Sequence, residues 1–103
     1  MIVGIGTDLV SVARMAAFLA RRGERGLRRI MTAGELRYCL GLARPEPSLA
    51  ARFAAKEAFF KALGTGFGRG GRWTDVEVER GPSGQPRIRL HGRAAALAAD
   101  RGV

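Results

Sequence analysis

The hydrophobic positions of this chain fall into blocks whose period changes from extended to helical and back. Ile2, Val3, Ile5, Leu9 and Val10 are β-formers, and Gly4 and Gly6 between them let another backbone approach, so residues 2–10 are predicted as a strand. From Ser11 to Ile30, Val12, Met15, Ala16, Phe18 and Leu19 recur at helical spacing, with an interruption expected near Gly23 and Gly26. Thr32 followed three residues later by Glu35 is a capping box that opens a short helix to about Leu42, and capping suffices to account for both residues. A turn at 43–47 leads to a central helix from Leu49 to Leu63, which Gly64 stops as a C-cap. Residues 73–79 alternate as a strand, with Val76 and Val78 opposite Asp75, Glu77 and Glu79. A turn at 81–86 then joins a partner strand at 87–90. His91, beside Gly92, reads as a surface or turn residue rather than a base or ligand, and 93–101 as an alanine-rich helix. This order predicts an α+β fold, one domain over 1–103 with helices packed on a small, mainly antiparallel sheet.

The central helix has the most unusual pattern. At about 100° per residue Leu49, Phe53, Phe60 and Leu63 gather on one side and Ala51, Ala54, Ala55, Ala58 and Ala62 on the other, so burial on both sides is expected. Lys56 falls inside the aromatic stripe, while Glu57 and Lys61 share the seam between the stripes; charges so placed need partners. Either Glu57 and Lys61 form an i,i+4 ion pair worth about 0.2–0.5 kcal/mol, or the seam is a working site, and spacing leaves both open. Asp8, near the end of an apolar strand, is either a cap for the following helix or a ligand-binding group. The glycine-rich stretch GTGFGRGG, from Gly64, could bring backbone amides against a ligand. It follows a helix instead of preceding one, so it is neither a P-loop nor a dinucleotide fingerprint.

Composition narrows the class. With 103 residues, 47% of them hydrophobic, the chain reads as one small globular domain that a core shared between subunits would help, and no apolar run approaches the ~18 residues of a membrane span. The start MIVGIGTDLV lacks the basic residues and long apolar segment of a signal peptide, so a cytoplasmic location is expected. The single cysteine, Cys39, excludes an intrachain disulfide and a cysteine cluster, and reads as packing. Eighteen basic against nine acidic residues give a net charge of +9, which points to an anionic partner. Arg21, Arg22, Arg25, Arg28 and Arg29 crowd one helical stretch, where mutual repulsion favours an acidic surface opposite. Aromatics do not interleave with them and no nucleic-acid-reading signature is present, which weakens a nucleic-acid role.

GIGTDLV, RFAAKEAFFKALGTG and WTDVEV, in that order, resemble the holo-acyl-carrier-protein synthases, the small bacterial class of phosphopantetheinyl transferases, over nearly the whole chain. The resemblance implies Mg²⁺-dependent transfer of the 4′-phosphopantetheine arm from coenzyme A to a serine of apo acyl carrier protein, with release of adenosine 3′,5′-bisphosphate, in fatty-acid or polyketide synthesis. It also implies a homotrimer with active sites between subunits and no membrane or nucleic-acid partner. Asp8 and Glu57 match the family's magnesium carboxylates, and Lys61 the lysine that contacts the phosphates. Arg52 and Lys56 match positions expected to meet coenzyme A phosphates, and Gly64, Thr65 and Gly66 the loop beside the pyrophosphate. Glu57, or a water held on the metal, would accept the serine proton. Arg14 matches a contact for the carrier's acidic helix, with Arg21 and Arg25 nearby. The family's final helix is normally followed by a strand with a Ser/Thr-His element, and this sequence ends at Val103 before it, so a C-terminal segment omitted from the sequence is expected. His91 is no substitute for that element, and Ser11 stands where the family often has glutamate. The competing readings are a small basic nucleic-acid-binding module and an inactive homologue that still binds carrier protein.

Overall fold

The computed structural model describes residues 9–64 and 71–102; Asp8, the rest of the expected first strand before it, Thr65 and Gly66 lie outside the described residues. Helices α1 (Leu9–Leu27), α2 (Ala33–Leu40) and α3 (Pro45–Leu63) are followed by a 3₁₀ turn (Trp73–Asp75), strands β1 (Val76–Arg80) and β2 (Pro86–Leu90), and helix α4 (Gly92–Asp100). Among the described residues the sheet is a two-stranded antiparallel hairpin, in register Val76↔Leu90, Val78↔Ile88 and Arg80↔Pro86. The α+β expectation holds.

Local departures from the sequence pattern have local causes. Leu9 and Val10 are helical, not extended: adding a residue to an existing helix gains a hydrogen bond without a new nucleus, which outweighs their modest β preference. The interruption expected in α1 is a kink at Gly23, whose φ of 62° and ψ of −164° favour glycine. The turn expected at 43–47 is instead the start of α3, because Pro45 at the first helical position has a suitable φ and no N–H to leave unsatisfied. Gly64 ends α3 in the left-handed conformation, φ 73°, as its sequence position predicts. Trp73, Thr74 and Asp75 do not join the strand. The Arg72 amide donates to Asp75 Oδ2 (3.1 Å) and the Asp75 amide to the Arg72 carbonyl (3.0 Å), curling the chain before β1 begins.

Helix α3 runs through two cores. Its N-terminal half contributes Leu49 and Ala50 to a cluster with Met15 and Leu27 of α1, Met31, and Leu36 and Cys39 of α2. Its C-terminal half contributes Phe59, Phe60 and Leu63 to a cluster with Val76 and with Ala94 and Ala98 of α4. Trp73 ties the halves together, 4.8 Å from the Phe53 ring and edge-on to Phe60 at 5.5 Å. Burial of α3 on its alanine side is partial: Ala55 is buried against Val78 and Ala51 is half-buried, whereas Ala54, Ala58 and Ala62 are exposed and form a smooth alanine strip. Cys39 is buried and free, as packing requires.

Candidate active site

Helices α1 and α3 pack through Met15 and Leu27 of α1 against Leu49 and Ala50 of α3, and beside that contact they enclose a cleft of about 300 Å³. Met15, Phe18, Ile30 and Phe53 supply its apolar lining, and Ser11, Arg14, Arg21 and Glu57 its polar groups. Arg14 and Arg21 are seven residues apart, two helical turns, and so project from one side of α1. Glu57 is exposed. Among the described residues the ion pairs are Arg28–Glu24, Lys56–Glu35 and His91–Glu77, so the helical Glu57–Lys61 pair is not formed. A carboxylate facing two arginines across a cleft, with no ion partner on its own helix, is available to a ligand. Lys61 is exposed one turn further along α3.

The cleft continues into a wider groove of about 540 Å³ that shares Phe18, Arg21 and Ile30 with it and adds Arg22, Arg25, Arg29 and Trp73. Of the arginines clustered in the sequence, Arg21, Arg22, Arg25 and Arg29 line this groove, whereas Arg28 lies on another surface, paired with Glu24. Arg52 occupies a different place. It is 8% exposed, and its Nη1 donates to the backbone carbonyl and hydroxyl of Ser48. Its guanidinium carbon lies 4.8 Å from the centre of the Tyr38 ring, and its Nε has no partner among the described residues. It borders a groove of about 450 Å³ on the far side of α3, together with Arg80, which donates to the Tyr38 hydroxyl at 2.7 Å.

Lys56 faces inward. Its side chain is fully buried, and Nζ donates to Glu35 Oε1 at 2.6 Å and to the Trp73 carbonyl at 3.1 Å. A buried, satisfied ammonium presents nothing to a phosphate in solution, so the phosphate contact expected of Lys56 gives way to an internal one. Burial pulls its pKa below the ordinary 10.5, although the Glu35 carboxylate opposes that change.

Capping alone does not account for Glu35. The capping box is present, with the Thr32 amide donating to Glu35 Oε1 (2.9 Å) and the Glu35 amide to Thr32 Oγ1 (3.1 Å). The same carboxylate also accepts from Lys56 and, through Oε2, from the Val78 amide of β1 at 2.9 Å. Thr32 Oγ1 donates onward to Glu77 Oε2 (2.7 Å), and Glu77 Oε1 lies 2.9 Å from His91 Nε2 at the N-cap of α4. The signal for Glu35 was in the sequence: Lys56 in an apolar stripe demands a carboxylate, and the chain has few.

Burial would raise the Glu77 pKa, but the hydrogen bonds from Thr32 and His91 and the charges of His91 and Arg89 outweigh it and hold the carboxyl below its usual 4.5. A depressed carboxyl pKa stabilises the fold above the unfolded-state value, and that contribution disappears as pH falls through the folded one. Glu77→Gln is therefore expected to cost about 1–3 kcal/mol at pH 6, with the gap to wild type narrowing below about pH 4.5. Urea titrations of both proteins across pH 3–7 check this; a gap independent of pH contradicts it.

Among the described residues no group of three or more His, Cys, Asp and Glu is placed to hold a metal ion, and none of the helices is long and apolar enough to cross a membrane. The α+β arrangement with this cleft has relatives of known class. The family model of the 4′-phosphopantetheinyl transferase superfamily matches residues 4–103. A holo-[acyl-carrier-protein] synthase of Desulforudis audaxviator is 52% identical over 103 residues, covering 100% of this chain and 78% of that protein. The crystal structure of holo-[acyl-carrier-protein] synthase from Neisseria meningitidis superimposes with a TM-score of 0.81 at 34% identity, covering 100% of this chain and 82% of that one. The Plasmodium yoelii acyl carrier protein synthase with ADP bound gives 0.67 at 26% identity, covering 100% and 79%. The chain belongs to the 4′-phosphopantetheinyl transferase superfamily, among its holo-[acyl-carrier-protein] synthases, and is an enzyme of that class.

Proposed function

We propose that this enzyme transfers the 4′-phosphopantetheine arm of coenzyme A to a serine of apo acyl carrier protein, with Mg²⁺ held by Asp8 and Glu57. The observation that carries the reading is Glu57: an exposed carboxylate beside two arginines in the α1–α3 cleft of a chain of this superfamily. Carboxylate oxygens are the donors Mg²⁺ prefers, and two of them leave coordination positions for phosphate oxygens. Bound there, the ion would neutralise charge on the diphosphate of coenzyme A. The ADP in the Plasmodium yoelii structure shows that one structural relative holds a nucleoside diphosphate.

The remaining roles are those the family resemblance implies, supported for the described residues by their charge and position. The serine oxygen attacks the β-phosphorus, the bond from that phosphorus to the leaving adenosine 3′,5′-bisphosphate breaks, and the serine proton passes to Glu57 or to water. Lys61, exposed one turn from Glu57, brings an ammonium to the phosphates. Arg52, whose Nε has no partner among the described residues, serves a coenzyme A phosphate across the far groove. Gly64, with Thr65 and Gly66 outside the described residues, matches the segment that the resemblance assigns to the pyrophosphate. Arg14, Arg21 and Arg25 receive the acidic helix of the carrier along the basic groove. The open alanine face of α3 suits close packing by another subunit, in keeping with a trimer whose sites lie between subunits. The setting is cytoplasmic fatty-acid or polyketide synthesis.

Intact mass of apo carrier protein after incubation with the enzyme tests the reading. A gain of one phosphopantetheine arm is expected only when coenzyme A and Mg²⁺ are both present. Carrier binding without a gain indicates an inactive homologue, and salt-sensitive nucleic-acid binding without a gain indicates a basic nucleic-acid module. Arg14→Glu is expected to raise KM for the carrier about tenfold or more at low salt, with less effect at high salt and little on KM for coenzyme A. A KM for carrier equal to wild type at both salts removes Arg14 from docking.

A further inference from the structure

We propose that the buried Glu35–Lys56 pair is a positioning device that sets the rotation of α3 about its axis and thereby aims Glu57 into the cleft. The inference rests on the function proposed above for Glu57. Helix α3 is anchored at both ends by large side chains, Leu49 and Phe53 against α1 and α2, and Phe59, Phe60 and Leu63 against the hairpin and α4. Between those anchors the turn from Ala54 to Ala58 has little to hold it. Ala54, Glu57 and Ala58 are exposed, and Ala55, which meets Val78, is its one buried apolar side chain. What fixes that turn is Lys56.

Glu35 joins Lys56 to the amides of Thr32 and Val78, and Lys56 itself holds the Trp73 carbonyl, so one carboxylate and one ammonium lock α3 to α2, to β1 and to the chain that re-emerges after the glycine-rich stretch. Lys56 and Glu57 are consecutive and point about 100° apart. Fixing the first toward the interior therefore fixes the second toward α1. Trp73 also packs on Phe53, which lines the cleft, so the same lysine supports the cleft wall. A hydrophobic pair of similar size would fill this volume at least as well, since charge burial is costly even when paired. Packing alone does not call for the ion pair.

The double variant Glu35→Gln/Lys56→Met removes both charges while keeping the shapes and an acceptor at position 35. It is compared with wild type at a temperature where circular dichroism shows both folded. The expected result is a kcat for phosphopantetheine transfer reduced roughly 10- to 100-fold, KM for carrier changed less than about twofold, and affinity for Mn²⁺ reduced in parallel. A folded variant with wild-type kcat and Mn²⁺ affinity overturns the inference, because a purely structural pair would move only the melting temperature. Should the double variant not fold, Glu35→Gln alone, which keeps the lysine charge and one of the two acceptor oxygens, is read by the same criteria. Wild-type enzyme in the same assays separates the two claims. Wild type without transfer or Mn²⁺ binding overturns both the functional reading and this inference, whereas an active wild type matched by its variant overturns positioning alone.

Discussion

Glu57→Gln is expected to lower kcat/KM for phosphopantetheine transfer by at least about 10³-fold, about 4 kcal/mol of transition-state stabilisation, while leaving the unfolding midpoint within about 0.5 kcal/mol of wild type. The two halves of this expectation have the same cause. Glu57 is exposed and has no ion-pair partner among the described residues, so removing its charge strands no buried group. Glutamine keeps the volume and one oxygen but not the negative charge that a divalent ion and a transferring phosphoryl group require. Steady-state kinetics with apo carrier and coenzyme A, beside a urea titration, measure both. Near-normal turnover in the variant would remove Glu57 from the mechanism.

Lys56→Met, next to it in sequence, is expected to do the opposite in kind: to lower unfolding free energy by about 3–5 kcal/mol. Methionine fills much of the lysine volume, so little cavity results. The loss comes from Glu35, whose carboxylate stays fully buried with its two backbone donors but without its counter-ion. Adding Glu35→Gln should return most of that stability, because the uncompensated charge disappears. Denaturant titrations of wild type, single and double variants measure the recovery. A single variant as stable as wild type would mean that the buried pair contributes nothing to the fold.

Two consecutive charged residues therefore serve unlike ends, and the sequence disclosed them unequally. Period and capping made α2, α3 and the hairpin legible, along with the kink at Gly23 and the helix stop at Gly64, because each depends on neighbours within a few residues. The start of α3 at Pro45 is not legible in the sequence because proline suits a first helical turn as well as a loop. The position of Lys56 calls for a partner, but that partner is 21 residues away, and Glu35 has a sufficient local role as a capping residue. Thr32, Glu77 and His91 form a chain of contacts across separations of 45 and 14 residues, which no local pattern reports. The cleft was half legible. The helical seam drew attention to Glu57 and the arginine cluster to an acidic partner, but only packing of α1 on α3 brings Arg14, Arg21 and Glu57 around one space.

The central claim is that Asp8 and Glu57 together hold the divalent ion that grips the diphosphate. Electron paramagnetic resonance of free Mn²⁺ titrated with enzyme and coenzyme A measures it for wild type, Asp8→Asn and Glu57→Gln. The account predicts that wild type depletes the free-ion signal and that each variant loses at least about 100-fold in affinity, since even outer-shell partners of a metal cost 10–100-fold. Wild-type Mn²⁺ affinity in either variant would contradict it.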